Sequence, residues 1–263
     1  MSVPIVGVCI FKNEALYLRE WVAFHKIVGM SHMYLYNNNS NDEWKRELKP
    51  FMDEGFVTVI DWPMAVPSQL GAYNDFIEKN NKKDVWAVFF DCDEFLFPVV
   101  HKTLPEYFDQ LKHPCGVGVN WACFGSGGLE NYSSEPVIER FTWRVSDNVH
   151  DNTHIKSIIR MNQEVKTLGT PHHFAVENGT FNELGVPITG PFSPHSSRYL
   201  RINHYKTKSK MEWVDRCMKG KADIQNYQLN WDHFNPVQPK EVNDLTIHKY
   251  LPELKAYIEK AKE

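Results

Sequence analysis

The chain has 263 residues, more than one small core requires, so a large α/β domain or two modest ones is expected and a stapled mini-protein is excluded. Its 29 Lys+Arg and 33 Asp+Glu are interspersed and sum to a net charge of −4, which leaves no basic field for nucleic-acid phosphates. Five scattered cysteines without a CxxC pair fit neither a disulfide framework nor a thiolate zinc site, and point to a reducing compartment.

The N-terminal stretch Met1 to Gly7 lacks a basic region, and no apolar run is long enough to span a bilayer. The expectation is a cytoplasmic chain, peripheral at most at a membrane. Ile5 to Ile10 is a continuous apolar run, as in a parallel strand buried on both faces. Leu18, Trp21, Val22 and Val28 then recur at helical spacing, with Glu14 at the start and Gly29 at the C-cap position. A second strand, His32 to Tyr36, runs into four asparagines around Ser40. A helix to about Met52, the strand Val57 to Ile60 and a helix around Leu70 to Ile77 continue a βαβ rhythm. The next apolar strand, Val85 to Phe90, stops at Asp91-Cys92-Asp93-Glu94, placing carboxylates at a strand's C-terminal end, where open α/β sheets bind ligands.

Thr103 and Glu106 form a capping box with Pro105, which predicts a short helix to about Lys112, followed by the strand Gly116 to Trp121. Gly125 to Gly128 is a flexible loop, Ile155 to Arg160 alternates as a strand does, and Asn178-Gly179 predicts a hairpin. Helices from Met211 to Lys219 and Leu245 to Lys260 close the chain. No repeat or linker divides it, so one domain is expected, with a Rossmann-like, mostly parallel layer over residues 1–112 and a smaller, more antiparallel α+β half over 113–263.

Carboxylates at the mouth of an apolar strand need a cation or donors to offset desolvation. In extended chain Asp91 and Asp93 project to one face, and their oxygens suit Mg2+ or Mn2+ bridging a diphosphate. Taken alone, an Asp-x-Asp pair is equally a solvated turn. The asparagines around Ser40 have the same double meaning, because Asn tolerates left-handed backbone and closes its own turns. His150 with His154, and His172-His173, suggest zinc, but the strand-like segment after His154 and the lack of a nearby third ligand argue against it.

The context of the acidic motif carries a resemblance. Phe11 to Glu14, Leu18 to Trp21 with Phe24-His25, Tyr34 to Asp42, Gln69 with Ala72-Tyr73-Asn74, Asp91 to Phe95, Trp121 with Phe124 to Gly128, Glu139 to Phe141, Lys156 to Ile158, His204-Tyr205 and Lys208-Ser209 occur in an order that resembles GT-A glycosyltransferases close to family 92. The resemblance implies a nucleotide-diphosphate-sugar donor of the UDP or GDP type on the N-terminal half and a glycan or other hydroxyl acceptor on the C-terminal half. Donor contacts are then expected from Lys12, Asn13, Glu14, Asn37, Asn38, Gln69, Asn74, Asp91, Lys206 and Lys208. Family members often carry Asp where this chain has Asn37, which leaves the base open. Asp91, Asp93 and His204 are the expected metal ligands, the imidazole favouring Mn2+ over Mg2+. Trp121, Phe124, Gly125 and Ser126 are the expected acceptor surface, and Glu130, with Asp151 as rival, the expected general base of an inverting transfer. Two alternatives stay open: a phosphohydrolase of the haloacid dehalogenase type with Asp91 as nucleophile, and a non-catalytic module that binds nucleotide sugar or glycan.

Overall fold

The computed structural model describes residues 2–64, 68–111, 115–219 and 241–260. The first half builds β1 (Ile5–Phe11), α1 (Ala15–Ile27), β2 (His32–Asn37), α2 (Trp44–Asp53), β3 (Val57–Asp61), α3 (Ser68–Asn80) and β4 (Trp86–Phe89). β1 lies between β2 and β4 and parallel to both, with β3 beyond β2. All seven of its residues are buried, as an unbroken apolar run on a two-sided sheet requires. Gly29 follows α1 with φ +98°, and a Cβ there would lie 2.8 Å from Pro105 Cδ, so both backbone and space demand glycine.

After β4 the chain turns through Asp91 to Asp93 into β5 (Glu94–Pro98), a strand hidden from sequence analysis because no turn residue separates it from the acidic motif. The capping box of Thr103 and Glu106 is present at α4 (Leu104–Phe108). That helix stops at Phe108; its expected end near Lys112 lies outside the described residues. The second half adds β6 (Gly116–Cys123), α5 (Val137–Arg140), β7 (Trp143–Arg144), β8 (Ile155–Arg160), β9 (Val165–Thr167), β10 (Phe174–Val176), β11 (Thr180–Asn182), β12 (Pro187–Ile188), β13 (Leu200–His204), α6 (Lys210–Lys219), β14 (Val242–Asn243) and α7 (Leu251–Lys260).

The main sheet has the order β12-β11-β6-β8-β4-β1-β2-β3, with β13 bridging β6 and β5. β8 runs antiparallel between β4 and β6, so strands of both halves share one mostly parallel sheet, the α/β class expected. One apolar layer packs Trp21, Phe24, Leu48, Phe51 and Leu254 against one face, and a second packs Tyr73, Phe76 and Phe174 against the other. β8 is consequently buried on both faces up to Ile159.

The predicted hairpin is corrected. A turn does form at Asn178-Gly179, where Gly179 N donates to the Val176 carbonyl (3.0 Å), but its two strands do not pair with each other. β10 pairs with β9, and β11 pairs with β6 and β12. The glycines of β6 explain the choice: a Cβ on Gly118 would lie 2.5 Å from Ile188 Cδ1, and one on Gly116 3.0 Å from Thr180 Oγ1. Turn chemistry sets a local reversal, whereas partner choice follows the surface on which side chains can pack.

Glu20 on α1 anchors α5 by accepting the backbone N–H groups of Val137 (2.8 Å) and Ile138 (3.3 Å). Burial pushes its carboxyl up to about 7, against the lowering effect of those two hydrogen bonds. A carboxyl raised in the folded state stabilises below its unfolded value and loses that contribution as pH rises through the folded one. The stability of wild type relative to Glu20→Gln should therefore fall as pH rises from about 4.5 to about 7 and level off above. Urea unfolding at stepped pH measures this, and a pH-independent difference would contradict it.

Candidate functional site

A cavity of about 290 Å³ opens at the C-terminal ends of β1 and β4. Strand register builds its far wall: β13 pairs with β5 and β6 so that His204 lies opposite both Glu94 and Cys123. A residue 110 positions beyond the acidic motif is thereby brought to its side.

The acidic segment is a closed turn, correcting the extended geometry expected. Glu94 N donates to the Asp91 carbonyl (3.1 Å), and Glu94 Oε2 accepts from Asp91 N (2.9 Å). Asp91 and Asp93 both line the cavity nevertheless, because the turn offers its outer side to it. Asp91 Oδ1 accepts from Gln69 Nε2 (2.6 Å) and Oδ2 from Lys156 Nζ (2.9 Å). Burial opposes ionisation of Asp91, yet Lys156 beside it outweighs burial and holds the carboxyl below its usual range. Glu94 is fully buried, and burial pushes its carboxyl well above the usual range despite Lys156 Nζ at 3.8 Å. Asp93 accepts from Arg216 Nη1 (2.6 Å), and that guanidinium overcomes burial to hold Asp93 well below the normal value.

His204 Nε2 lies 3.6 Å from Asp93 Oδ1. Among the described residues no group of three His, Cys, Asp or Glu side chains is placed to hold a metal ion. Asp91 lines the same cavity while accepting from Gln69 and Lys156, and its oxygens keep lone pairs beyond those two hydrogen bonds. Asp93 and His204 remain as an oxygen and nitrogen pair facing one space, a donor set compatible with a borderline divalent ion.

Lys12, Glu14, Gln69, Trp121, Lys206 and Lys208 also line this cavity. The asparagines do not. Asn13 adopts φ +55° and its Oδ1 accepts from Asn41 N (2.8 Å), Asn37 Oδ1 accepts from Ser40 N (3.0 Å), and Asn38 Nδ2 donates to the carbonyls of Trp62 and Met64. They tie the tips of β1, β2 and β3 together, so the turn chemistry of asparagine prevails. Asn74 is exposed on α3 and accepts from Thr167 Oγ1 (2.9 Å). Trp121 packs between His154 (centroids 4.8 Å) and His204 (4.2 Å). Phe124 is buried against Tyr205, Gly125 N donates to the Trp143 carbonyl, and Ser126 Oγ accepts from Gly128 N, so all three stand behind the wall. Glu130, its side chain 73% exposed and 3.9 Å from Lys210, lies outside the cavity, as does the exposed Asp151.

Tertiary structure adds Tyr17, Lys156, His172, Glu212 and Arg216 to the wall. Two of them carry a signal legible in the sequence, Lys156 already within the order of motifs that carries the resemblance. Lys156 is a cation inside an apolar strand, and Ser209 with Glu212 forms a capping box at the start of α6. Glu212 also accepts from Tyr17 Oη (3.0 Å) and from both terminal nitrogens of Arg140.

Lys208 is the outlier. It has φ +53°, is 5% exposed, and holds Nζ 4.0 Å from the Tyr17 ring centre without an ion pair among the described residues. Burial pushes its ammonium below the ordinary lysine value. Asp93, Glu14 and Glu212 attract this charge without forming an ion pair with it among the described residues, which leaves a buried ammonium on the cavity wall.

A family model described as Glycosyltransferase family 92 matches residues 5–255. A glycosyltransferase family 92 protein of Arabidopsis thaliana is 28% identical over 233 residues, 83% of this chain and 37% of the relative. One of Oryza sativa subsp. japonica is 28% identical over 226 residues, 84% of this chain and 35% of the relative. The chain thus spans little more than a third of the length of these relatives. Among solved structures, the mannosyltransferase PcManGT of Pyrobaculum calidifontis with GDP-Man and Mn2+ overlaps 60% of this chain and 45% of its own at 11% identity and a TM-score of 0.37. TarS of S. aureus with UDP-GlcNAc overlaps 60% and 46% at 10% identity and a TM-score of 0.41.

Lys156→Met should leave the buried Glu94 and the partly exposed Asp91 without their cation and cost about 1–3 kcal/mol of stability. Adding Asp91→Asn should recover part of that loss. Urea unfolding of the single and double variants measures both, and a single variant as stable as wild type would refute the pairing.

Proposed function

Because the chain belongs to glycosyltransferase family 92, we propose that its cavity binds a nucleotide-diphosphate sugar and that the chain transfers the sugar to an acceptor hydroxyl. The observation that carries this reading is the buried Lys208, a cation without an ion-pair partner among the described residues, beside Lys206 and Arg216 at the mouth of the acidic turn. A diphosphate would give Lys208 a direct ion pair where Asp93, Glu14 and Glu212 attract it only from a distance, and these cations would neutralise the negative charge that grows on the nucleotide as the glycosidic bond breaks. Lys12 and Glu14 at the tip of β1 stand on the nucleotide side, in keeping with ligand binding at strand ends of open α/β sheets.

Asp91, clamped between Gln69 and Lys156, serves in this reading as a fixed acceptor for donor hydroxyls and as support for the turn. Asp93 and His204 would hold a divalent ion such as Mn2+, which supplies further neutralisation of the diphosphate. Asp93 is bound to Arg216 in the structure, so donor and ion binding requires that guanidinium to move from the carboxylate toward the phosphates. Transfer with inversion is the stereochemistry we propose. The phosphohydrolase alternative is disfavoured by family membership and by the position of the acidic turn after β4, preceded by three strand–helix units.

Lys208→Met should weaken UDP or GDP binding by about tenfold or more while leaving the fold intact. Asp93→Ala should remove the Mn2+ dependence of that binding. Calorimetric titration with UDP, GDP, CDP and their sugars, with and without Mn2+, checks both. A folded wild-type chain that binds none of them, or a Lys208→Met variant with wild-type affinity, would defeat the proposal.

A further inference from the structure

Transfer with inversion needs a group that takes the proton of the attacking hydroxyl, and both carboxylates expected for it, Glu130 and Asp151, lie outside the cavity. The carboxylates that do line it are engaged with cations or donors. Asp91 accepts from Gln69 and Lys156, Asp93 from Arg216, and Glu212 from Tyr17, Arg140 and Ser209. Glu14 attracts Lys208 and Arg216, so it stands at the end of the cavity assigned to the diphosphate. Of the two imidazoles on the wall, His204 faces Asp93 across 3.6 Å, whereas His172 has no carboxylate within ion-pair distance among the described residues.

His172 lies between β9 and β10, and β8 holds it at two points. Its backbone carbonyl accepts from Ser157 Oγ (2.7 Å), and its Nδ1 lies 2.9 Å from the carbonyl of Ile155, past Ile158, where the pairing of β8 with β4 ends. A carbonyl only accepts, so Nδ1 carries the ring proton and Nε2 holds the lone pair of a neutral imidazole. Nε2 makes no hydrogen bond among the described residues. Trp121 packs edge to face on the ring (centroids 5.4 Å), which, with the Ile155 contact, fixes its plane. Burial pushes the pKa of His172 down to about 4, and Lys156 acts in the same direction, so the ring is unprotonated at neutral pH and as basic as an ordinary carboxylate. Asp91 is the carboxylate that acts most on His172, whereas Asp93 and Glu14 act most on Lys208. The imidazole and the cations for the diphosphate therefore stand at different ends of the acidic turn, as a base and a leaving group on opposite faces of a sugar require.

We propose that His172 Nε2 is the general base that activates the acceptor hydroxyl. The proposal rests on the glycosyltransferase reading. In the step, the hydroxyl oxygen bonds to the anomeric carbon while its proton passes to Nε2. The bond from that carbon to the diphosphate oxygen breaks, its electron pair leaves on the diphosphate, and the imidazolium then yields the proton to solvent.

The test follows release of UDP or GDP from UDP-glucose, UDP-galactose and GDP-mannose with Mn2+, onto water and onto a panel of mono- and disaccharides. His172→Asn keeps an N–H for the Ile155 carbonyl and has no basic nitrogen. It should bind UDP or GDP as wild type does and lose about a hundredfold or more in release rate. Azide, a nucleophile with no proton to give up, should raise release by the variant about tenfold or more and leave wild type nearly unchanged, an outcome that a merely structural role does not produce. His172→Gln, the second variant, should behave in the same way. Wild-type release rates in both variants, a matching loss of nucleotide affinity, or no response to azide would overturn the proposal and leave the donor reading standing. A wild-type chain that binds nucleotide but turns over no donor would also overturn it. One that binds no nucleotide would refute the donor reading, and the proposal with it.

Discussion

The site depends on a lysine buried in the middle of a sheet. Lys156 is 1% exposed on β8, and it is the cation that holds Asp91 ionised, in a turn that Gln69 and Arg216 also contact. Placing an ammonium there is costly unless carboxylates surround it, and the converse holds for the carboxylates, so neither group tolerates loss of the other. The arrangement explains why β8, antiparallel to its neighbours, lies between β4 and β6: only a strand in that position presents a side chain beneath the turn at the end of β4.

The rest of the cavity follows from chain segments tied to that centre. Glu183 gathers the backbone N–H groups of Arg198, Tyr199 and Leu200 on one carboxylate and so sets the entry of β13, whose other end carries His204 to the turn. Beyond β13, Glu212 caps its own helix through Ser209 and fastens that helix to Tyr17 and Arg140. These are buried, charge-assisted contacts between segments far apart in sequence, the kind that fix relative positions closely. Lys208 lies between the two anchors in a left-handed conformation, buried against the Tyr17 ring.

The distribution of polar groups separates structural from functional use. Asparagines near the tips of β1 and β2 spend their hydrogen-bonding capacity on neighbouring backbone, whereas cavity-facing groups are charged residues in opposed pairs. A nucleotide sugar is suited to such a surface because its diphosphate can exchange with the resident carboxylates for the same cations.

The sequence by itself determined the βαβ rhythm of the first half, the buried β1, the capped helix at Thr103, and the carboxylates at the end of β4, because each is written in local periodicity or turn chemistry. The order of motifs also drew attention to Lys12, Glu14, Gln69, Trp121 and Lys208, which the fold brings to one cavity. Only the tertiary structure decided that Lys156 and Gln69 bond Asp91, that Arg216 binds Asp93, that Asn178-Gly179 joins strands of different sheets, and that Glu130 and Asp151 do not line the cavity. Those outcomes depend on which distant segments share one burial environment. Counter-ion choice and strand partnership are settled by desolvation and packing across the fold, and spacing along the chain does not encode them.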